Sequence, residues 1–302
     1  MHFPARVTLI EVGPRDGWQA ESILISTPDK IALIDGLSAS GLQAIQVTSF
    51  VSPARVPQMA DAEAVCAGIA RRPGVEYSGL ALNLRGVERA AGARLDKVDI
   101  SSSASDTHSR RNTGMGLEDA AREVHAMAAR ARALGLRVRA GVQCAFGCAY
   151  EGGVDPQRVL NLLRGLVACE VEEVLLADST GMANPAQISR MLEAALPILG
   201  EIPLVLHLHD TRGMGLANVM AALEQGVSRF DTAFGGLGGC PFIPGASGNI
   251  ATEDTLHMLA EMQIATGVRL AAVAAVSARM ALLLGRALPG KRNHLALQPE
   301  AP

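Results

Sequence analysis

Eight short runs of β-branched and aliphatic residues recur along the chain, with amphipathic segments between them. The runs are residues 7–12, 44–50, 76–82, 97–102, 137–146, 173–179, 204–210 and 229–235. Their starts advance by about 32 residues, the length of one strand and one crossover helix. Several intervening segments have helix ends in sequence: Thr27-Pro28 begins one that ends at Gly41, and Gly135 and Gly226 follow two others. This alternation predicts a parallel sheet.

Eight repeats favour a closed sheet, because an open one would leave two long edges to protect. We therefore expect an α/β fold, a (β/α)₈ TIM barrel over about residues 7–268. Residues 269–302 should form a C-terminal helical extension with an Ala/Leu-rich helix over 270–285. Neither a low-complexity segment nor an interior linker is evident, so residues 1–302 are interpreted as one domain.

Composition excludes several classes of protein. The chain has 302 residues, 49% of them hydrophobic, and a net charge of −3, which argues against disorder and against a nucleic-acid partner. Its longest apolar stretch, 270–284, is interrupted by Ser277 and Arg279 and is too short to span a membrane. Five sparse cysteines and the lack of an evident signal sequence predict a cytoplasmic protein.

Polar residues cluster where strands of the barrel end, which is where barrel active sites lie. His207 and His209 are two apart on the seventh strand and point to the same face, so both imidazoles can bind one ion. Asp16, after the first strand, can join them. Nitrogen and oxygen donors without a thiolate pair favour Mg²⁺ or Mn²⁺. The alternative is a pair of hydrogen-bonded strand histidines without a metal.

The segment 235–249 is the most unusual in composition, since six of its fifteen residues are Gly and two are Pro. It predicts a long loop on the active-site face, suited to a lid that carries Cys240. The other cysteines are expected to pack in the interior. Cys144 and Cys148 are too loosely spaced for a metal pair, and Cys66 and Cys169 fall on predicted helices.

Five motifs carry a family resemblance. They are Val12-Gly-Pro-Arg-Asp-Gly17, Thr48-Ser-Phe-Val-Ser-Pro53, His207-Leu-His-Asp-Thr211, Gly236-Leu-Gly-Gly-Cys-Pro241 and Pro244-Gly-Ala-Ser-Gly-Asn249. From about residue 7 to 270 the chain resembles the 3-hydroxy-3-methylglutaryl-CoA lyases, metal-dependent enzymes of TIM-barrel fold. The resemblance implies an acyl-CoA substrate and retro-Claisen cleavage to acetyl-CoA and acetoacetate, a step of leucine degradation.

The resemblance also implies roles for individual residues. Asp16, His207, His209 and Asn249 match the ligands of the divalent cation, Arg15 matches the residue that stabilises the enolate, and Cys240 matches the loop cysteine, a candidate proton donor to the enolate. Asp178 is a candidate base or orienting carboxylate, and Asp210 could hold a histidine ligand. Gln19, Gln46 and Thr48 are expected to contact the substrate.

Three positions depart from the family pattern. Gln46 stands where Glu is usual, Trp18 where Leu is common, and Arg212 where Tyr is usual. Gln cannot carry charge or accept a proton, so the role of that carboxylate is lost or reassigned. All three lie on the predicted site face. Together they indicate a related acyl-CoA with a different tail or acid group, for which Arg212 would offer a bidentate contact to a carboxylate. The alternative is neutral drift in an ordinary lyase.

Other functions remain open at this level. The chain could cleave citramalyl-CoA, or be a catalytically silent barrel that binds acyl-CoA, as Gln46 suggests. Condensing enzymes such as isopropylmalate and homocitrate synthases fit less well, because of the glycine-cysteine loop and the short chain. Arg55, Arg110 and Arg111 are candidates for the CoA phosphates, and the Ala/Leu-rich terminal helix makes a homodimer plausible.

Overall fold

The computed structural model describes residues 3–239 and 248–292. Eight parallel strands form a closed barrel in sequence order, and β8 pairs with β1. The strands are β1 (Thr8–Glu11), β2 (Ala44–Ser49), β3 (Glu76–Leu80), β4 (Lys97–Ser103), β5 (Arg137–Gln143), β6 (Glu173–Asp178), β7 (Leu204–Leu208) and β8 (Arg229–Thr232). The predicted (β/α)₈ fold is confirmed. Most of the predicted runs extend past the strand ends, because their last residues lead into the loops of the site.

The described helices cover the outside of the barrel. They are α1 (Thr27–Ser38), α2 (Ala62–Gly68), α3 (Leu84–Gly92), α4 (Asp106–Thr113), α5 (Leu117–Ala133), α6 (Pro156–Val167), α7 (Pro185–Leu199), α8 (Gly215–Glu224), α9 (Thr252–Glu261) and α10 (Leu270–Leu284). The expected terminal helix is α10, which packs on α1 and α9. No helix in these ranges is long and apolar enough to cross a bilayer.

Buried charges close the barrel at the amino-terminal ends of its strands. Lys97 lies 2.8 Å from both Glu76 and Glu173, and Arg229 also pairs with Glu173. Each of these residues is the first of its strand. Pairing of this kind avoids the large cost of an isolated buried charge. The cavity described below lies at the opposite end of the barrel.

Candidate active site

A cavity of about 340 Å³ lies at the carboxyl ends of the strands. Its lining includes Arg15 and Asp16 after β1, Gln46 from β2, His207 on β7 and Asp231 on β8. This is the end at which barrel enzymes carry their active sites.

The turn that presents Arg15 and Asp16 is fixed by a buried carboxyl group. Glu11 accepts hydrogen bonds from the backbone N–H of Gly13 at 2.7 Å and of Phe234 at 3.0 Å. Burial raises the pKa of Glu11 to about 8. Gly13 is required by packing, because a Cβ there would lie 2.5 Å from the Phe234 ring. Gly13 therefore allows the turn after β1 to pack closely against the residues that follow β8.

Asp16, His207 and His209 bring their ligand atoms within 4.8 Å of one another, and all three are buried. The two histidine Nε2 atoms are 3.1 Å apart, and Asp16 Oδ2 lies 4.0 Å and 3.7 Å from them. Burial alone would raise the pKa of Asp16, but the Arg15 guanidinium and the two histidines outweigh it and hold that pKa well below its usual range. An ionised carboxylate thus faces two imidazole nitrogens.

Asn249, at the end of the glycine-rich segment 235–249, also contacts this group. Its Nδ2 donates to Asp16 Oδ2 at 2.7 Å and to the Leu237 carbonyl at 3.1 Å. Its Oδ1 is buried and has no hydrogen-bond partner among the described residues. A buried oxygen without a partner is costly unless something binds it. Two imidazoles, a carboxylate and a spare amide oxygen fit a divalent cation.

The residue that orients His207 is Asp231, which the sequence analysis missed. Asp231 Oδ2 lies 3.1 Å from His207 Nδ1, so Nδ1 carries the proton and Nε2 is left to bind an ion. Asp210, the expected partner, shows contacts instead with the Gly215 N–H at 2.8 Å and with Lys291 Nζ at 3.2 Å. The only sequence signal for Asp231 was that it is a single carboxylate within the predicted eighth strand.

Arg15 lies beside the candidate metal group and is held on two sides. One terminal nitrogen contacts Asp16 Oδ1 at 2.5 Å, and Nε donates to the amide oxygen of Gln46. Gln19 also lines the cavity, with its Nε2 3.4 Å from Asp16 Oδ1. The structure therefore brings Arg15, Gln19 and Gln46 together with the candidate ligands.

Several residues expected at the site lie outside the cavity lining, among them Thr48, Trp18 and Arg212. The register of β2 shifts between Gln46 and Thr48, which turns the Thr48 hydroxyl toward Met59 Sδ at 3.6 Å. Trp18 is fully buried, edge-on to Phe234, with ring centroids 6.4 Å apart. Arg212 donates to the carbonyls of Thr180 and Gly181 at 2.8 and 3.0 Å. Of the three departures from the family pattern, only Gln46 lines the cavity.

Asp178 is fully buried and holds the loop after β6. Its two oxygens accept the backbone N–H groups of Met182 and Ala183 at 2.8 and 3.0 Å, while burial raises its pKa. It is not part of the cavity lining, so its role as base or orienting carboxylate stays a prediction from the sequence. Cys240 lies outside the described residues. Gly239, immediately before it, lines the cavity.

The remaining cysteines pack in the interior, as expected. Cys66, Cys144, Cys148 and Cys169 are buried free thiols, and burial raises the pKa of Cys66 and of Cys144 to about 12. Cys169 lies just after α6 rather than within it.

The candidate phosphate-binding arginines differ in their surroundings. Arg55 lines the cavity and donates to the Asn112 carbonyl at 3.1 Å. Arg110 pairs with Asp106 at 2.7 Å, and Arg111 lies over the Tyr150 ring at 4.2 Å.

Comparison with known proteins agrees with this geometry. Residues 6–280 match the HMGL-like family. The chain belongs to the HMGL-like family. Hydroxymethylglutaryl-CoA lyase YngG of Bacillus subtilis is 41% identical over 291 residues, 96% of this chain and 97% of that protein. The mitochondrial hydroxymethylglutaryl-CoA lyase of Rattus norvegicus is 44% identical over 268 residues, 89% of this chain and 82% of that one.

A solved structure of this family extends the comparison to ligands. The HMG-CoA lyase of Acinetobacter baumannii, in complex with coenzyme A and 3-methylmalate, superposes with a TM-score of 0.95 at 38% identity. The match covers 100% of this chain and 99% of that one.

Proposed function

We propose that this protein is a divalent-cation-dependent carbon–carbon lyase that cleaves 3-hydroxy-3-methylglutaryl-CoA to acetyl-CoA and acetoacetate. The observation that carries the proposal is the buried group of Asp16, His207 and His209, directly beside Arg15. Asn249 Oδ1, which has no hydrogen-bond partner among the described residues, adds a fourth candidate ligand atom. Relatives at 41–44% identity over most of the chain are named as lyases of this substrate.

The reaction needs a proton removed, a carbon–carbon bond broken and an enolate stabilised. The C3 hydroxyl passes its proton to a general base, for which Asp178 remains the proposed candidate. The C2–C3 bond breaks to give the ketone of acetoacetate, and the electron pair of that bond moves into the thioester carbonyl. A bound divalent cation would lower the pKa of that hydroxyl and fix the substrate oxygens. Arg15 provides N–H donors for the thioester oxygen, whose charge develops mainly in the transition state. The enolate carbon then takes a proton, and Cys240 is the proposed donor.

The charges in the cavity lining fit a substrate with a free carboxylate. Three positive and three negative side chains line it: Arg15, Arg55, Arg139, Asp16, Asp99 and Asp231. These balance, so a divalent cation would add two positive charges. The substrate carboxylate and the charge that develops on the thioester oxygen would offset them. An acyl-CoA with a terminal acid is therefore favoured over a neutral one.

Finer features are also proposed. Mg²⁺ or Mn²⁺ suits a set of oxygen and nitrogen donors.

A homodimer through α10 is supported by the apolar outer face of that helix, where Leu282 is 83% exposed. Sedimentation velocity that gives only the monomer mass would refute the homodimer. A cytoplasmic location stays a prediction from the cysteine content.

Product analysis tests the proposed function. Purified protein with Mg²⁺ or Mn²⁺ and a thiol reductant is given hydroxymethylglutaryl-CoA, and acetyl-CoA and acetoacetate are measured. We expect both products in equal amounts and no product after EDTA treatment. If only citramalyl-CoA is cleaved, the substrate is citramalyl-CoA rather than hydroxymethylglutaryl-CoA. If neither substrate is cleaved, the lyase proposal is contradicted and an acyl-CoA-binding barrel is supported.

A further inference from the structure

A continuous series of hydrogen bonds and ion pairs crosses the barrel interior from Arg15 to His207. It passes from Arg15 through Gln46, Asp99, Arg139 and Asp231 to His207. Asp99 and Arg139 are buried, line the cavity, and have no role in the mechanism proposed above.

Asp99, on β4, uses both carboxylate oxygens. One accepts hydrogen bonds from Gln46 Nε2 at 2.5 Å and from the Ser78 hydroxyl at 2.7 Å, and the other pairs with Arg139 Nε. A buried carboxylate with this many donors is held in one orientation.

The orientation of Asp99 determines that of the Gln46 amide. A glutamine side chain has an acceptor end and a donor end that differ only by a 180° rotation. Arg15 can only donate, so it needs the oxygen of Gln46, while the Asp99 carboxylate can only accept, so it needs the nitrogen. A single amide orientation therefore satisfies both neighbours.

Arg139 holds Asp99 from the side opposite Gln46. Its guanidinium binds Asp99 through Nε and Asp231 through a terminal nitrogen at 2.6 Å. Both partners are carboxylates, and Arg139 is almost fully buried between them. Although burial alone would lower the pKa of Arg139, the carboxylates outweigh it and raise that pKa, so the central cation stays charged.

We propose that Asp99 is a positioning residue for Arg15 and acts through the amide of Gln46. The carboxylate that the family resemblance places at position 46 is supplied here by Asp99, two strands away on β4. Gln46 transmits its orientation to Arg15 Nε, and the other N–H groups of the guanidinium are left to meet the thioester oxygen. The inference rests on the proposed function, since that function gives Arg15 its role.

An exchange of acid and amide tests this inference. In Asp99→Asn, the new amide oxygen must serve Arg139, so its nitrogen faces the Gln46 nitrogen and the Gln46 amide loses its fixed orientation. We expect kcat to fall about 10- to 100-fold, the range for loss of a supporting polar partner. KM and the affinity for Mg²⁺ or Mn²⁺ should change less than about threefold, because the substrate and metal contacts remain.

Adding Gln46→Glu to Asp99→Asn should restore kcat to within about fivefold of the wild type. The carboxylate then accepts from Arg15 and from the new amide, whose oxygen accepts from Arg139, so donors, acceptors and net charge all match again. Glu76→Gln is the matched control: Glu76 pairs with Lys97 and Arg137 at the other end of the barrel. It should change the melting temperature but not kcat.

Four results would overturn the inference. Asp99→Asn with wild-type kcat, a double variant no better than Asp99→Asn, or a metal affinity that falls in step with kcat would each show that Asp99 does not act through Arg15. A fall in kcat for Glu76→Gln equal to that for Asp99→Asn would indicate a general effect of lost stability. Failure of the proposed function is distinct, because the wild-type protein would then release no acetyl-CoA.

Discussion

At the residue scale, Gln46 contacts both a positive and a negative side chain, Arg15 and Asp99, with the two ends of one neutral amide. A carboxylate at the same position would face Asp99 at hydrogen-bond distance, and like charges this close disfavour ionisation of both. The amide avoids that conflict and leaves the cavity charges balanced. Replacement of the expected Glu therefore does not by itself indicate loss of activity.

Sequence predicts which residues lie together where motifs are dense, but not for isolated side chains. Arg15, Asp16, His207 and His209 were expected to lie together because the spacing and neighbours of each are specific, and the structure brings them together. Asp99, Arg139 and Asp231 are single charged residues on different strands, separated by 40 and 92 positions, and nothing local joins them. Trp18 was misplaced because it directly follows a cavity-facing turn yet packs into the core.

Substitution of Asp231 tests whether this residue sets the tautomer of His207 for metal binding. In Asp231→Asn, an amide that still accepts from Arg139 would direct its N–H₂ toward His207 Nδ1, so the proton moves to Nε2 and that atom can no longer bind an ion. We expect Mn²⁺ affinity, measured by calorimetry, to weaken about 10- to 100-fold. An unchanged affinity, with the variant folded by circular dichroism, would contradict the assigned tautomer of His207.

At the element scale, two buried glutamates join the ends of β1 and β8 to the outer helices. Glu11 reaches from β1 to the Phe234 N–H and to the Thr252 hydroxyl of α9. Glu253 of α9 accepts from the Gly235 N–H at 2.9 Å and from the Ser277 hydroxyl of α10. The segment that leads into the glycine-rich stretch is thus anchored from both sides.

Burial controls the protonation of Glu11. The Thr252 hydroxyl donates to Glu11 Oε2 at 2.7 Å and lies 2.8 Å from the Thr232 hydroxyl. Burial outweighs this hydrogen bond and raises the pKa of Glu11 to about 8, so the folded chain holds a proton there at a higher pH than an exposed glutamate would.

This proton makes stability depend on pH. The folded-state pKa of Glu11 lies above the ordinary value of 4.5, so the folded chain binds the proton more tightly than the unfolded chain. The contribution of Glu11 to the free energy of unfolding is therefore full below pH 4.5 and is lost as pH rises toward 8. Glu11→Gln imitates the protonated form and should remove this part of the decline. Urea denaturation between pH 5 and pH 8 measures it, and equal slopes for the two proteins would contradict it.

Strands and helices were predictable because hydrophobic periodicity and end signals are local. The irregularity of β2 between Gln46 and Thr48 was not, since the sequence alternates normally there and the shift arises from pairing with β3. For that reason Gln46 reached the cavity and Thr48 did not.

At the scale of the whole molecule, barrel closure assembles the site. Asp16 and Asn249 are 233 positions apart and in direct contact, because β8 pairs with β1 and the described residues beyond the glycine-rich segment return to the same edge. The fold class followed from eight repeats with a regular spacing. The polar network inside the barrel could not be predicted, because it depends on which side chains face inward after the sheet closes.

In the proposed reaction, Asp16, His207, His209 and Asn249 hold the cation on which cleavage depends. One titration tests this: Mn²⁺ is added to metal-free protein while binding and acetyl-CoA release from hydroxymethylglutaryl-CoA are followed together. We predict that activity rises with the same half-saturation as binding, and that Asn249→Ala, which removes the candidate ligand oxygen, shifts both curves to higher Mn²⁺ by the same factor. Full turnover in metal-free protein, or binding weakened by Asn249→Ala without any shift in activity, would contradict this metal assignment.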